Sequence, residues 1–182
     1  YGGMESKRNL EWKRNQVVAD ALESAFYLSF GAIEPSGVRE GYFLDVSASM
    51  FSGEIAGVQG LTPAEAEACM TMVLLRKSSD YLLKGFTSGS GRAGYGSRND
   101  GGIQDINIGK HNSLAEVMRV MNSFPWGGTD CSLPFTWAMA QKENVDCFYI
   151  WTDNETWAGR IHPKQALDEY RRKINPQARV GL

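Results

Sequence analysis

Between Val38 and Val46 the chain tightens into an almost unbroken apolar run, Tyr42-Phe43-Leu44 leading to Asp45 and Val46. A strand with one wet face alternates apolar and polar residues. A strand apolar at successive positions needs cover on both faces, as in a parallel sheet sandwiched between helices. The run therefore predicts the central strand of an α/β fold, and the rest of the chain keeps the same rhythm. Trp12 to Phe30 carries Val17, Val18, Ala21, Leu22, Ala25, Phe26 and Leu28 at helical spacing, which predicts a helix with one broad apolar face, stopped by Gly31 and Pro35. Thr62-Pro63-Ala64-Glu65 is a capping box with proline at the first helical position, and it opens a helix through Cys69, Met70, Met72, Val73, Leu74 and Leu75. Asp80 to Thr87 reads as a strand, and Ser113-Leu114-Ala115-Glu116 as a second capping box opening a helix to about Met121. Cys131 or Ser132 opens a short helix to about Gln141, Val145 to Thr152 is a strand, and Pro163 to Ile174 a helix. Helix and strand in turn imply an open, mostly parallel sheet wound with right-handed crossovers, helices on both faces.

One stretch breaks the rhythm. From Ser88 to Lys110 glycine recurs at 89, 91, 94, 96, 101, 102 and 109, with Arg92, Arg98 and Lys110 among them. Such a segment buries little surface, so residues 88–110 are expected to form a flexible, basic loop, either a tolerated insertion or a flap that meets a phosphate or an acidic partner. With 182 residues, 1–182 is expected to form one domain with a full core. Its 19 basic and 21 acidic residues leave a net charge of −2 and no global field for nucleic acid. Cys69, Cys131 and Cys147 are odd in number and have neither zinc spacing nor the density of a disulfide framework, which favours a reducing compartment. No apolar run approaches the roughly 20 residues needed to span a bilayer. A soluble, cytoplasmic protein is expected.

Asp45-Val46-Ser47-Ala48-Ser49 places a carboxylate and two hydroxyls at alternate positions where the apolar strand runs out into a loop. Oxygen donors of this kind suit a hard cation, magnesium before manganese or calcium. Gly127-Gly128-Thr129-Asp130 offers another hydroxyl at Thr129, and Thr152-Asp153-Asn154 another carboxylate at Asp153, just after a second strand. In open α/β sheets ligands gather outside the carboxyl ends of the strands. Convergence of Asp45, Ser47, Ser49, Thr129 and Asp153 is thus expected. If the hydroxyls coordinate as neutral groups, the ion keeps its appetite for an acidic group from a partner, and Asp153 is then expected to act through a water.

These segments resemble the metal-ion-dependent adhesion site of von Willebrand factor type A domains. The longer stretches Phe43-Leu44-Asp45-Val46-Ser47-Ala48-Ser49-Met50, Gly127-Gly128-Thr129-Asp130-Cys131-Ser132-Leu133-Pro134 and Thr152-Asp153-Asn154-Glu155-Thr156-Trp157-Ala158-Gly159, with His162-Pro163, resemble the carboxyl-terminal domain of the Ro 60 kDa autoantigen family and its bacterial relatives. The resemblance runs from about Val17 to Arg179 and takes in Ala25-Phe26-Tyr27 and Glu34-Pro35-Ser36-Gly37. It implies a Rossmann-like sheet with a metal site at its top, attached in the full-length family protein to a helical ring that binds misfolded RNA and Y RNAs. Two departures stand out. The stretch 88–110 is longer and more basic than the family's loop, and Val180-Gly181-Leu182 falls inside the next strand, so the last strand and helix of such a domain are expected outside this sequence.

Three functions from different classes remain open at this point. The first is a metal-dependent, non-enzymatic interaction module that recruits a partner's acidic group. The second is a direct RNA contact through the basic loop and exposed aromatics. The third is a magnesium-dependent phosphohydrolase, disfavoured because the residue two after Asp45, where such chemistry often places its general acid, is Ser47. Plainer roles are expected elsewhere: Asp130 as a helix cap, His162 as a structural residue at a helix start, His111 solvated, and Cys69 and Cys147 as inert thiols on apolar faces. Trp12, Trp137 and Trp151 read as core, Trp126 and Trp157 as the two tryptophans exposed for contact, and Arg171-Arg172-Lys173 as a solvated helix end.

Overall fold

A computed structural model describes residues 15–55, 57–88, 102–124, 127–153 and 159–181. Contacts divide the chain into two units, one up to Glu34 and one from Pro35 onward. The first holds α1 (Gln16–Ser29), capped by Asn15, whose side chain accepts the N–H groups of Val17 and Val18. Phe26, Tyr27 and Phe30 pack edge to face at its end. No residue of α1 is buried, and Val17 and Leu28 are 77% and 80% exposed.

The second unit is the α/β fold. Its elements are β1 (Glu40–Asp45), α2 (Pro63–Lys77), β2 (Tyr81–Phe86), β3 (Ile103–Asp105), α3 (Leu114–Met121), α4 (Leu133–Gln141), β4 (Cys147–Trp151), α5 (Pro163–Lys173) and β5 (Arg179–Gly181). The sheet runs in the order β3-β2-β1-β4-β5, parallel throughout except for antiparallel β3. The apolar run is the central strand, buried along its whole length. Both capping boxes close as read: Thr62 and Glu65 satisfy each other's backbone, and so do Ser113 and Glu116.

Phe43 turns to the side covered by α4 and α5, stacking on Phe148 at 5.6 Å, and Phe148 in turn meets Phe135 and the edge of Tyr170. Gly41 makes room for this layer, since a Cβ there would stand 2.7 Å from the Phe43 ring. On the neighbouring positions Tyr42 and Leu44 are fully buried, as are Ala64, Ala68 and Leu75 of α2, which packs beside α3.

The glycine-rich stretch needs correction at its end. Ile103–Asp105 pairs with β2, and Ile103, Ile106 and Ile108 are buried, so residues 103–108 belong to the packed sheet edge. Ile103, Ile106 and Ile108 supply that burial, and Asp105 pairs with Lys84 of β2. Gly102 makes the turn into β3 at φ +92, where a Cβ would meet the Thr87 carbonyl. Residues 89–101, with Arg92 and Arg98, lie outside the described residues. The same holds for Trp12, Trp126 and Trp157.

Tyr170 closes the lower core. Its hydroxyl accepts the buried Val145 N–H at 2.7 Å and donates to the Glu143 carbonyl at 2.8 Å. A buried N–H that loses its acceptor costs about 1–3 kcal/mol. Tyr170→Phe is therefore expected to lower unfolding stability by about 1–2 kcal/mol in urea titration with the slope unchanged; an unaffected midpoint would show that this bond carries no weight.

Candidate metal centre

Strand order reverses at β1, with β2 on one side and β4 on the other, and the crevice at their carboxyl ends is where an open α/β sheet binds its ligands. Asp45 ends β1 there with no exposed surface. One carboxylate oxygen, Oδ1, accepts the Ser47 N–H at 2.8 Å. The other, Oδ2, accepts the hydroxyl protons of Thr129 at 3.1 Å and Thr152 at 2.9 Å. Ser47 leads into a 3-10 turn, Ala48–Phe51, pinned by buried Met50, and this turn sets the Ser47 and Ser49 hydroxyl oxygens 3.1 Å apart.

The loop carrying Thr129 is held from two sides. Thr87, at the end of β2, donates its hydroxyl to the Gly128 carbonyl at 2.9 Å, and the Ser88 N–H donates to the same oxygen at 2.6 Å. Asp130 does not cap α4 as expected: it lies two residues before the N-cap, Ser132, and accepts that residue's N–H and hydroxyl. Gly159 lies against that carboxylate at φ +127, where a Cβ would stand 2.6 Å from Oδ1. His162 has the structural role expected of it: it caps α5, its Nδ1 accepting the Lys164 N–H at 3.2 Å.

Four of the five residues singled out, Asp45, Ser47, Ser49 and Thr129, thus converge in one hydrogen-bonded group. Asp153 lines a cleft beside them together with Thr152. Two further contributors were not foreseen. Thr152 hydrogen-bonds Asp45 directly, although it had been passed over in favour of the next residue. Glu67 reaches in from α2, 3% exposed, and its Oε1 accepts the Asp45 N–H at 2.9 Å, one residue past the end of the β1–β4 register at Leu44. Its other oxygen, Oε2, is buried and has no hydrogen-bond partner among the described residues. The signal was present in the sequence: a glutamate flanked by Ala64, Ala68, Met72 and Leu75 sits on the apolar face of its helix.

Burial pushes the Asp45 carboxyl above its ordinary range, against the pull of the hydrogen bonds from Ser47, Thr152 and Thr129. Glu67 is raised well above its ordinary value, first by burial and then by the negative charges of Asp45 and Asp153. Asp45 forms no ion pair among the described residues. No three Asp, Glu, His or Cys side chains among these residues form a metal-binding group, so a cation here would depend on hydroxyls beside a carboxylate. The donor set is compatible with a small divalent ion. At an ideal octahedral Mg–O distance of about 2.1 Å, neighbouring ligand oxygens lie ~3 Å apart, close to the Ser47–Ser49 and Thr129–Asp45 separations. A hydroxyl that gives its proton to Asp45 also leaves its lone pairs free for a cation.

The mostly parallel sheet and the oxygen-rich group at its switch point define a von Willebrand factor A type of α/β domain. A family profile described as the Ro60 vWA domain matches residues 42–181, and the chain belongs to that family. It is 41% identical over 163 residues to "RNA-binding protein RO60" of Deinococcus radiodurans, covering 90% of this chain and 28% of that protein. To the protein of the same name from Caenorhabditis elegans it is 34% identical over 169 residues, covering 93% of this chain and 24% of the relative. The crystal structure of the Deinococcus radiodurans RO (RSR) protein superposes with a TM-score of 0.77 at 39% identity, covering 93% of this chain and 32% of that one. The chain thus spans about a quarter of the length of the relatives it matches.

Burial favours the protonated form of Asp45 and Glu67 in the folded chain, so their contribution to stability is present at low pH and is lost as pH rises from the ordinary carboxylate range through the raised folded values. Glu67→Gln keeps an acceptor for the Asp45 N–H and removes one charge. In EDTA, its urea midpoint is expected to fall less between pH 4.5 and ~7.5 than that of the parent chain; parallel curves would clear Glu67 of the effect.

Proposed function

We propose that this chain is a non-enzymatic, metal-dependent interaction module of a Ro-type RNA-binding protein. The observation that carries the reading is the Asp45 carboxylate: fully buried, surrounded by hydroxyl donors, backed by a second buried carboxylate, and, among the described residues, without a cationic partner. Uncompensated charge in that position is costly, and a divalent cation is the simplest group to relieve it. Asp45, Ser47, Ser49 and Thr129 would hold the ion, magnesium before manganese or calcium, with Asp153 acting through a water. When bound, the ion would offer a Lewis-acidic position to a carboxylate from a protein partner.

The chain's own residues prepare that position. Thr129 and Thr152 give their protons to Asp45 and so keep its charge facing the hydroxyl cluster. Glu67 holds the Asp45 backbone where the ladder ends. Neutral serine and threonine ligands leave more of the cation's charge for the partner than a ring of carboxylates would. The relatives' names make them RNA-binding proteins, which supports a role in an RNA-binding ribonucleoprotein in which Y RNA and misfolded RNA would be bound by other parts of the full-length protein. Among the described residues no helix is long and apolar enough to cross a membrane.

Magnesium or manganese at 100 times its Kd is expected to stabilise the folded chain by about 2.7 kcal/mol, seen as a Tm several degrees higher than in EDTA. Asp45→Ala should abolish that increment. An unchanged Tm in the parent chain, or an equal shift in Asp45→Ala, would remove the metal from the reading.

A further inference from the structure

Beside the Asp45 group lies a cleft of about 450 Å³ between α2, the Ala48–Phe51 turn and the end of β4. Its walls are apolar: Met50, Ile55, Pro63, Met70 and Trp151. Its polar lining is acidic. Glu54, Glu67 and Asp153 face it, and among the described residues none of its lining is basic.

Two atoms of the lining residues lack partners. Among the described residues, Glu67 Oε2 is buried with no donor, in a residue only 3% exposed, and the Trp151 indole N–H is buried with no acceptor. Leaving such groups unmatched in a folded protein is costly, so the cleft is suited to a guest that brings a donor to the carboxylate and an acceptor to the indole. A peptide does both, through a basic side chain and a backbone carbonyl. The apolar walls suit the methylene stem of that side chain, and Met50 and Met70 can adapt to its course. The charges of Glu54 and Asp153 repel a phosphate backbone, so the same charge that attracts a basic peptide turns RNA away.

We infer that this cleft receives a lysine or arginine side chain of a protein partner, next to the position proposed for the partner's acidic group. The partner would then carry an acidic and a basic residue close together. The inference goes beyond the metal reading and does not require it, because the cleft's carboxylates and walls are in place without a metal.

The test uses the isotopically labelled chain in EDTA, so that its result is independent of any metal. The Trp151 indole resonance, assigned with Trp151→Phe, and the Met50 and Met70 methyl resonances are followed during titration with Nα-acetyl-lysine N-methylamide, its arginine counterpart, and the neutral isostere Nα-acetyl-norleucine N-methylamide. The basic probes are expected to give saturable shifts at these resonances and to bind at least about threefold more tightly than norleucine, an advantage that shrinks in high salt. Glu54→Gln, at an exposed site, should weaken the basic probes about threefold and leave norleucine unchanged. Glu67→Gln should act in the same direction. Equal binding by norleucine, no shift with any probe, indifference to Glu54→Gln, or stronger shifts with oligouridylate would each overturn the proposal.

Discussion

The top of this domain is organised by one carboxylate that has been taken out of water. Asp45 is buried at the end of the central strand, and every group near it either donates a hydrogen bond to it or adds to its charge. A lone buried charge of this kind is tolerated only when it is solvated by the protein, neutralised by protonation or paired with a cation. The hydroxyls of Thr129 and Thr152 provide the first, and the raised position of both carboxyls reflects the second. The third is what the proposed cation would supply.

The sheet is what makes that carboxylate possible. β1 lies between β2 and β4 with side chains packed on both faces, so Asp45 at its end is carried inward by Tyr42, Phe43 and Leu44. The ends of β2 and β4, the turn after β1 and the segment before α4 meet at the same crevice. Thr87 anchors the loop that presents Thr129, β4 ends into Thr152 and Asp153, and α2 contributes Glu67 from the side. The acidic, apolar-walled cleft is a product of the same arrangement, since α2 and the strand ends form its opposite walls.

Much of this was legible along the chain. The run at Tyr42-Phe43-Leu44 announced a doubly covered strand, and the capping boxes at Thr62 and Ser113 located two helix starts to the residue, because a cap is a local bond between neighbours. Two features differ from the sequence reading for related reasons. Ile103, Ile106 and Ile108 looked like part of a glycine-rich loop because their burial depends on pairing with β2, a contact the local sequence does not report. Thr152 was overlooked because the neighbouring Asp153 offered the more familiar ligand, and which of two adjacent side chains points at Asp45 depends on how β4 leaves the sheet.

By itself the sequence determined the α/β class, the central strand, the helix caps and four of the residues that meet at the end of that strand, Asp45, Ser47, Ser49 and Thr129. These follow from periodicity, capping chemistry and spacing within a few residues. Only the tertiary structure decided that Glu67 would meet the Asp45 backbone across 22 residues, that Thr129 and Thr152 would share one carboxylate oxygen, and that three acids would line one cleft. Those relations depend on the parallel crossovers that bring strand ends together, and distance along the chain carries no record of distance in space.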